Sequence, residues 1–209
     1  MAAFSSLYSL IRFHVKNAPD VTIDEAIRHS VREFCRRSYW LRETIEVTSI
    51  AGQAFYDIEP ADPDNHEIIG VVAVENESFT PLLPSTQQLV RQVTGYPRYF
   101  IFLPPSTLEL IPYPSATEAN LETYVVRVAM QPTLTSTLVS DDILREHDHT
   151  VAFGAVHYLA SMPSEGWSND KVADKAFKLF RNGCADAKSD ASFGKTPWDS
   201  TMQFGRFDI

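Results

Sequence analysis

Residues 21–40, VTIDEAIRHSVREFCRRSYW, restrict the fold more than any other stretch of the chain. Ile23, Ala26, Ile27, Val31, Phe34 and Cys35 recur at three- and four-residue steps, so a helix here carries one apolar face that has to be buried. Thr22 and Glu25 stand at capping-box spacing and predict the helix start, with the hydroxyl taking an orphan amide and the carboxylate reaching back. Arg28, Arg32 and Arg36 form a cationic stripe on another face. Asp24 and Glu25 near the positive end of the helix dipole, with Arg36 and Arg37 near the negative end, stabilise such a helix without any ligand. The stripe therefore has two readings: a solvated face, the usual fate of a charge run, or a surface that meets another subunit.

With 209 residues the chain can bury a sizeable core, as one domain or one domain with a large insertion. A formal charge of -9 argues against tight sequence-independent binding to nucleic acid, which needs many phosphate-neutralising cations. It suits a surface past which DNA slides. Cys35 and Cys184 are far apart and belong to no CxxC pair, so they imply no disulfide framework and fit a reducing compartment. No apolar run approaches the roughly 20 residues that span a bilayer, and no membrane partner is expected.

The hydrophobic period changes along the chain from helical to strand-like and back. Residues 4–15 predict a short helix, broken from the next by Pro19. Residues 44–48 and 55–58, alternating around Ala51-Gly52, predict a hairpin. Residues 67–75 predict a buried strand, with a short edge at 79–83. Residues 86–93 predict a two-turn helix, and residues 98–103, 107–111 and 121–130 three further strands. Ser140-Asp141-Asp142 caps a long helix that ends at Pro163, within which Gly154 and Ala155 permit close packing. After a turn containing Trp167, residues 172–187 supply the apolar face of a last helix, antiparallel to its neighbour because the connection is short. The expected class is α+β: a helical bundle from N- and C-terminal segments, a mostly antiparallel β-sheet insertion and an extended C-terminal arm. The expected parts are 1–41, 42–132, 133–190 and 191–209.

The arm retains Phe193, Trp198, Met202, Phe204 and Phe207 despite Gly194, Pro197 and Gly205. Disordered tails are poor in aromatics, so these residues predict docking. Fully extended, such an arm spans roughly 65 Å, enough to cross onto another subunit or fold back over its own. Phe193, Trp198, Phe204 and Phe207 are thus candidate contacts with another subunit or a partner, with Arg28, Arg32 and Arg36.

Catalytic signals are sparse. Glu146 and His149 make one ExxH, with His147, Asp148 and His157 nearby, but di-metal bundles need the motif from two helices. His149 and His157 would lie about 12 Å apart along a helix, too far to share one zinc. There is no GxSxG elbow, and no GxGxxG or Walker-type loop. Cys35 lies on an apolar helix face, where a thiol behaves as a small hydrophobe. Tyr96, Tyr99, Phe100 and Phe102 read as sheet core rather than a base-stacking platform. No catalytic residue, cofactor or metal is expected; a metal-binding enzyme using the region 147–157 is the remote alternative.

The order of features resembles the head-to-tail adaptor (connector) proteins of tailed bacteriophages. The resemblance is carried by AIRHSVREFCRRSYW at 26–40, the glycine turn within 44–60, Gly95-Tyr96-Pro97 leading to a strand, LELIPYP at 108–114, and AFGAVHYL at 152–159 followed by Trp167 and the last helix. It covers roughly residues 4–190. The resemblance implies a non-catalytic twelve-subunit ring in the virion neck, attached to the portal protein above and a tail or nozzle protein below, with DNA passing through its lumen. A stopper or nozzle ring lower in the neck is the alternative station.

Overall fold

The computed structural model describes residues 2–85, 94–115, 122–163 and 165–193. The chain starts with β1 (Ala2–Ala3), a 3-10 turn at Phe4–Leu7, α1 (Tyr8–His14) and α2 (Asp20–Ser38). Strands β2 (Arg42–Thr48), β3 (Phe55–Asp57), β4 (His66–Glu75), β5 (Leu83–Pro84), β6 (Thr94–Gly95), β7 (Tyr99–Leu103), β8 (Thr107–Ile111), β9 (Tyr113–Pro114), β10 (Thr123–Pro132) and β11 (Leu138–Val139) follow. Two long helices, α3 (Asp141–Ala160) and α4 (Asp170–Phe193), come last. The class is mixed α+β.

The apolar face expected of α2 is buried in full: Ile23, Ala26, Ile27, Val31, Phe34 and Cys35 have no exposed surface. The capping box does not form. Pro19 is the N-cap, its carbonyl accepting from Ile23 N, and no side chain caps the end. Proline's fixed φ sets the start earlier than expected and places Thr22 inside the first turn. At the other end Tyr39 turns left-handed, at φ 51°, and closes the helix two residues before Trp40. Ser140 precedes α3 as expected, though its hydroxyl makes no cap bond.

Three helices meet at Gly154. A Cβ built there would lie 2.1 Å from Ser30 Oγ and 2.8 Å from the Phe180 ring. Only glycine lets α2, α3 and α4 approach this closely, and Ser30 Oγ donates to the Val151 carbonyl at 2.6 Å across the same crossing. The pairs Gly154–Phe180 and Thr150–Gly183 run in opposite chain directions, so α3 and α4 are antiparallel. Ile11, Ile23, Ile27, Phe34, Val151, Leu159, Phe180 and their neighbours form one continuous core. Tyr8 Oη donates to Asp24 at 2.6 Å and ties α1 to α2.

The strands build a second core around Tyr56, Ile58, Leu108, Leu110, Tyr124, Val126 and Val128. One sheet has the order β2-β10-β4, antiparallel throughout; another has the order β3-β8-β7-β5. β5–β7 and β6–β9 are the parallel pairs. The expected hairpin of residues 44–58 is not one: β2 pairs with β10, while β3 pairs with β8 in the other sheet. Residues 49–54 carry the chain between sheets, fixed by Tyr56, whose hydroxyl accepts from Ile50 N and donates to the Gln53 carbonyl. β4 buries Ile68 and Val74, while Val72, at the register shift between Val71 and Ala73 against β10, is exposed. The helix expected over 86–93 lies outside the described residues.

Gly154→Ala is expected to lower stability by about 1–3 kcal/mol, the range for overpacking, although alanine gains up to about 1 kcal/mol of helix propensity. Urea denaturation checks this, with Gly166→Ala, whose Cβ meets nothing within 4 Å, as the neutral control.

Candidate functional site

The three stripe arginines point at the seam between the helices and the sheet. Arg28 Nε donates to the Ser136 carbonyl at 3.1 Å, Arg32 donates to the Pro132 carbonyl and to Glu67 Oε1, the latter at 2.7 Å, and Arg36 Nε donates to Gln131 Oε1 at 2.8 Å. Gln131 in turn donates to Glu67. The spacing explains the match. Residues four apart on α2 stand about 6 Å apart along its axis, and the end of β10 with the segment after it presents Ser136, Pro132 and Gln131 to Arg28, Arg32 and Arg36 in reverse chain order. Arg32 is buried, whereas Arg36 remains exposed.

Sequence reasoning found the arginines and missed their partners. Glu67, Gln131 and the carbonyls of Pro132 and Ser136 come from segments far along the chain, and no local pattern marks them. Asp141, Asp142, Glu146 and Asp148 lie on the opening turns of α3, away from this seam's bonds; Asp142 faces Arg145 of its own helix at 4.0 Å.

The histidines of the region 147–157 are dispersed into packing. His147 is buried at a kink in α3, where φ is −134°, with its ring 4.4 Å edge-on from Trp40 and 5.1 Å from Phe34. His149 faces outward. His157 packs on Phe177 at 4.7 Å, and its Nδ1 lies 3.1 Å from the Ala173 carbonyl oxygen. A cleft of about 260 Å³ between α2, α3 and α4 is lined by His29, Glu33, Arg37, His157 and Tyr158. His29 stacks on Tyr158 at 5.0 Å there, and Arg37 pairs with Glu33 at 2.6 Å. Among the described residues no three His, Cys, Asp or Glu side chains converge as a metal set.

The SU10 adaptor protein family model matches residues 3–199, nearly the whole chain. The chain belongs to the SU10 adaptor protein family. This is a family of phage head-tail adaptors, so the chain is a structural virion component and its class is not an enzyme class. No curated protein matches it.

On this SU10 adaptor-family chain the aromatic candidates divide. Phe193 is the last residue of α4, which runs beyond the expected boundary at 190, and it is largely exposed. Trp198, Phe204 and Phe207 lie outside the described residues. Other large apolar side chains stand in solvent: Phe13 and Val21 on the helices, Phe79 and Leu83 by the sheet. The period of the first helix does not use Phe13, and that surplus was the only signal for it. No helix of the described residues is long and apolar enough to cross a membrane.

Both thiols of the SU10 adaptor-family chain are buried, and burial pushes each from the ordinary 9.0 up to about 12. At Cys35 the nearby Cys184 adds to the shift, with Arg32 opposing it. A pKa raised by folding favours the neutral thiol in the folded state. Its contribution is therefore complete below the unfolded value and is lost as pH rises through 9 towards 12. The urea midpoint is expected to fall over that window. At pH 8 a thiol-titrating disulfide reagent is expected to find neither cysteine until denaturant is added; two fast-reacting thiols in the native protein would contradict the burial.

Proposed function

We propose that this chain forms a twelve-subunit ring in the virion neck, seated on the portal protein and joined below to a tail or nozzle protein, with DNA passing through the lumen. The helical elements pack against neighbours and portal, and the insertion of residues 42–132 projects towards the tail. The C-terminal arm beyond Phe193 contributes apolar contact between subunits.

The observation that carries this reading is Phe79. It stands 80% exposed with φ at 57°, a conformation that a bulky residue adopts at a cost. The Asn76 turn enforces it: Phe79 N donates to the Asn76 carbonyl at 2.9 Å and Thr80 N to Asn76 Oδ1 at 2.8 Å. A strained turn that offers an aromatic ring to water has its rationale in a partner that covers the ring. Phe13, equally exposed at 80%, offers a second such contact from the helical side. Two sticky surfaces joined by a rigid seam fit a part that links two assemblies. Obligate ring interfaces bury upwards of about 2,000 Å², and the net charge of -9 suits a wall past which DNA moves. Arg36, exposed while bonded to Gln131, remains able to meet the acidic opening of a neighbour's α3; Arg32 serves inside the chain.

Light scattering of the protein with its candidate portal, followed by negative-stain imaging, is expected to show a twelve-fold collar. Deleting residues 194–209 is expected to leave a folded protein that no longer forms it. Binding to a nozzle ring alone moves the station lower in the neck, and binding to neither contradicts the reading.

A further inference from the structure

We propose that the cleft between α2, α3 and α4 is a carboxylate-binding site that seats an aspartate or glutamate side chain of a partner protein. The inference stands on the cleft itself and holds whether or not the chain closes into a ring.

Crowded cations in an acidic chain point to it. The chain carries a net charge of -9, yet Arg32, Arg36 and Arg37 all line this cleft of about 260 Å³. Arg32 is satisfied by the Pro132 carbonyl and the Glu67 carboxylate. Arg37 donates through Nε to Glu33 Oε1, and Arg36 through Nε to the neutral Gln131 side chain. Among the described residues the Nη groups of Arg36 and Arg37 meet no acceptor. With His29 and His157 neutral, Arg36 and Arg37 therefore face Glu33 alone inside the cleft, and one positive charge is left over. Both guanidiniums are anchored at Nε, so their outer forks are already oriented for a planar acceptor. A carboxylate is such an acceptor, taking two parallel N–H bonds.

The walls favour a carboxylate borne on a side chain. Gly154 and the buried Phe180 ring lie beneath the arginines, with Tyr158 and Phe177 beside them. His29 stacked on Tyr158 and His157 packed on Phe177 hold those two rings in place. An apolar lining with a few polar groups takes a methylene stem and fixes its charged end. A phosphate dianion would exceed the single surplus charge and meet Glu33, and a DNA backbone needs a run of cations that one small cleft does not supply. Membership of an adaptor family makes other virion proteins the partners.

Heteronuclear NMR of the isotope-labelled full-length protein tests this with two blocked peptides, acetyl-Gly-Glu-Gly-amide and acetyl-Gly-Gln-Gly-amide, and with sodium acetate and inorganic phosphate. The glutamate peptide is expected to shift the Arg36 and Arg37 Nε–H signals and the Gly154 amide saturably, while the glutamine peptide leaves them in place. The Arg36→Gln/Arg37→Gln variant is expected to bind the glutamate peptide at least about tenfold more weakly, as loss of charge-assisted bonds requires. Equal shifts from both peptides, or no saturable shift in the unmodified protein, overturn the proposal. Acetate or phosphate binding more tightly than the glutamate peptide overturns it as well, since the cleft would then take a free anion rather than a side chain.

Discussion

The buried guanidinium of Arg32 is the interaction on which the arrangement of the two halves depends. Taking a charge out of water costs several kcal/mol unless partners compensate it, and here the Pro132 carbonyl and the Glu67 carboxylate do so. Those partners belong to the sheet, whereas Arg32 belongs to the central helix. Arg28 and Arg36 repeat the pattern one turn to either side, against Ser136 and Gln131. The halves cannot slide past each other without stranding donors and acceptors. The two hydrophobic cores are thereby tied to each other through polar bonds as well as through packing.

Much of this fold was legible in the sequence where the cause is local. The six apolar positions of α2 are buried, and strands arise near 98–103, 107–111 and 121–130 because branched and aromatic residues cluster between prolines. Gly154 and Ala155 mark the helix crossing as their size suggested. What failed depends on partners. Residues 44–58 alternate as a hairpin would, yet strand pairing is decided by β10 and β8 much later in the chain. Thr22 and Glu25 have the spacing of a cap, yet Pro19 fixes an earlier start.

The candidate site was legible as a set of arginines but not as a seam, because a helical stripe reveals its direction only once the facing carbonyls are known. His147 and His157 show the same limit in reverse. Their crowding in sequence invites a metal, while the fold turns one into the core beside Trp40 and packs the other on Phe177. Membership of the SU10 adaptor protein family gives these elements a common purpose. In the ring proposed above, the exposed rings of Phe13 and Phe79 are where the assembly gains area.

Hydrogen–deuterium exchange of Arg32→Met against the unmodified protein tests the seam most directly. Loss of the guanidinium leaves the Pro132 carbonyl without its side-chain donor and Glu67 with Gln131 alone, a deficit of about 1–3 kcal/mol. Faster exchange is therefore predicted at residues 66–68 and 129–136, while the amides of 151–159 and 176–184 keep their protection. An unchanged seam, with both cores exchanging as before, would show that Arg32 does not hold the halves together.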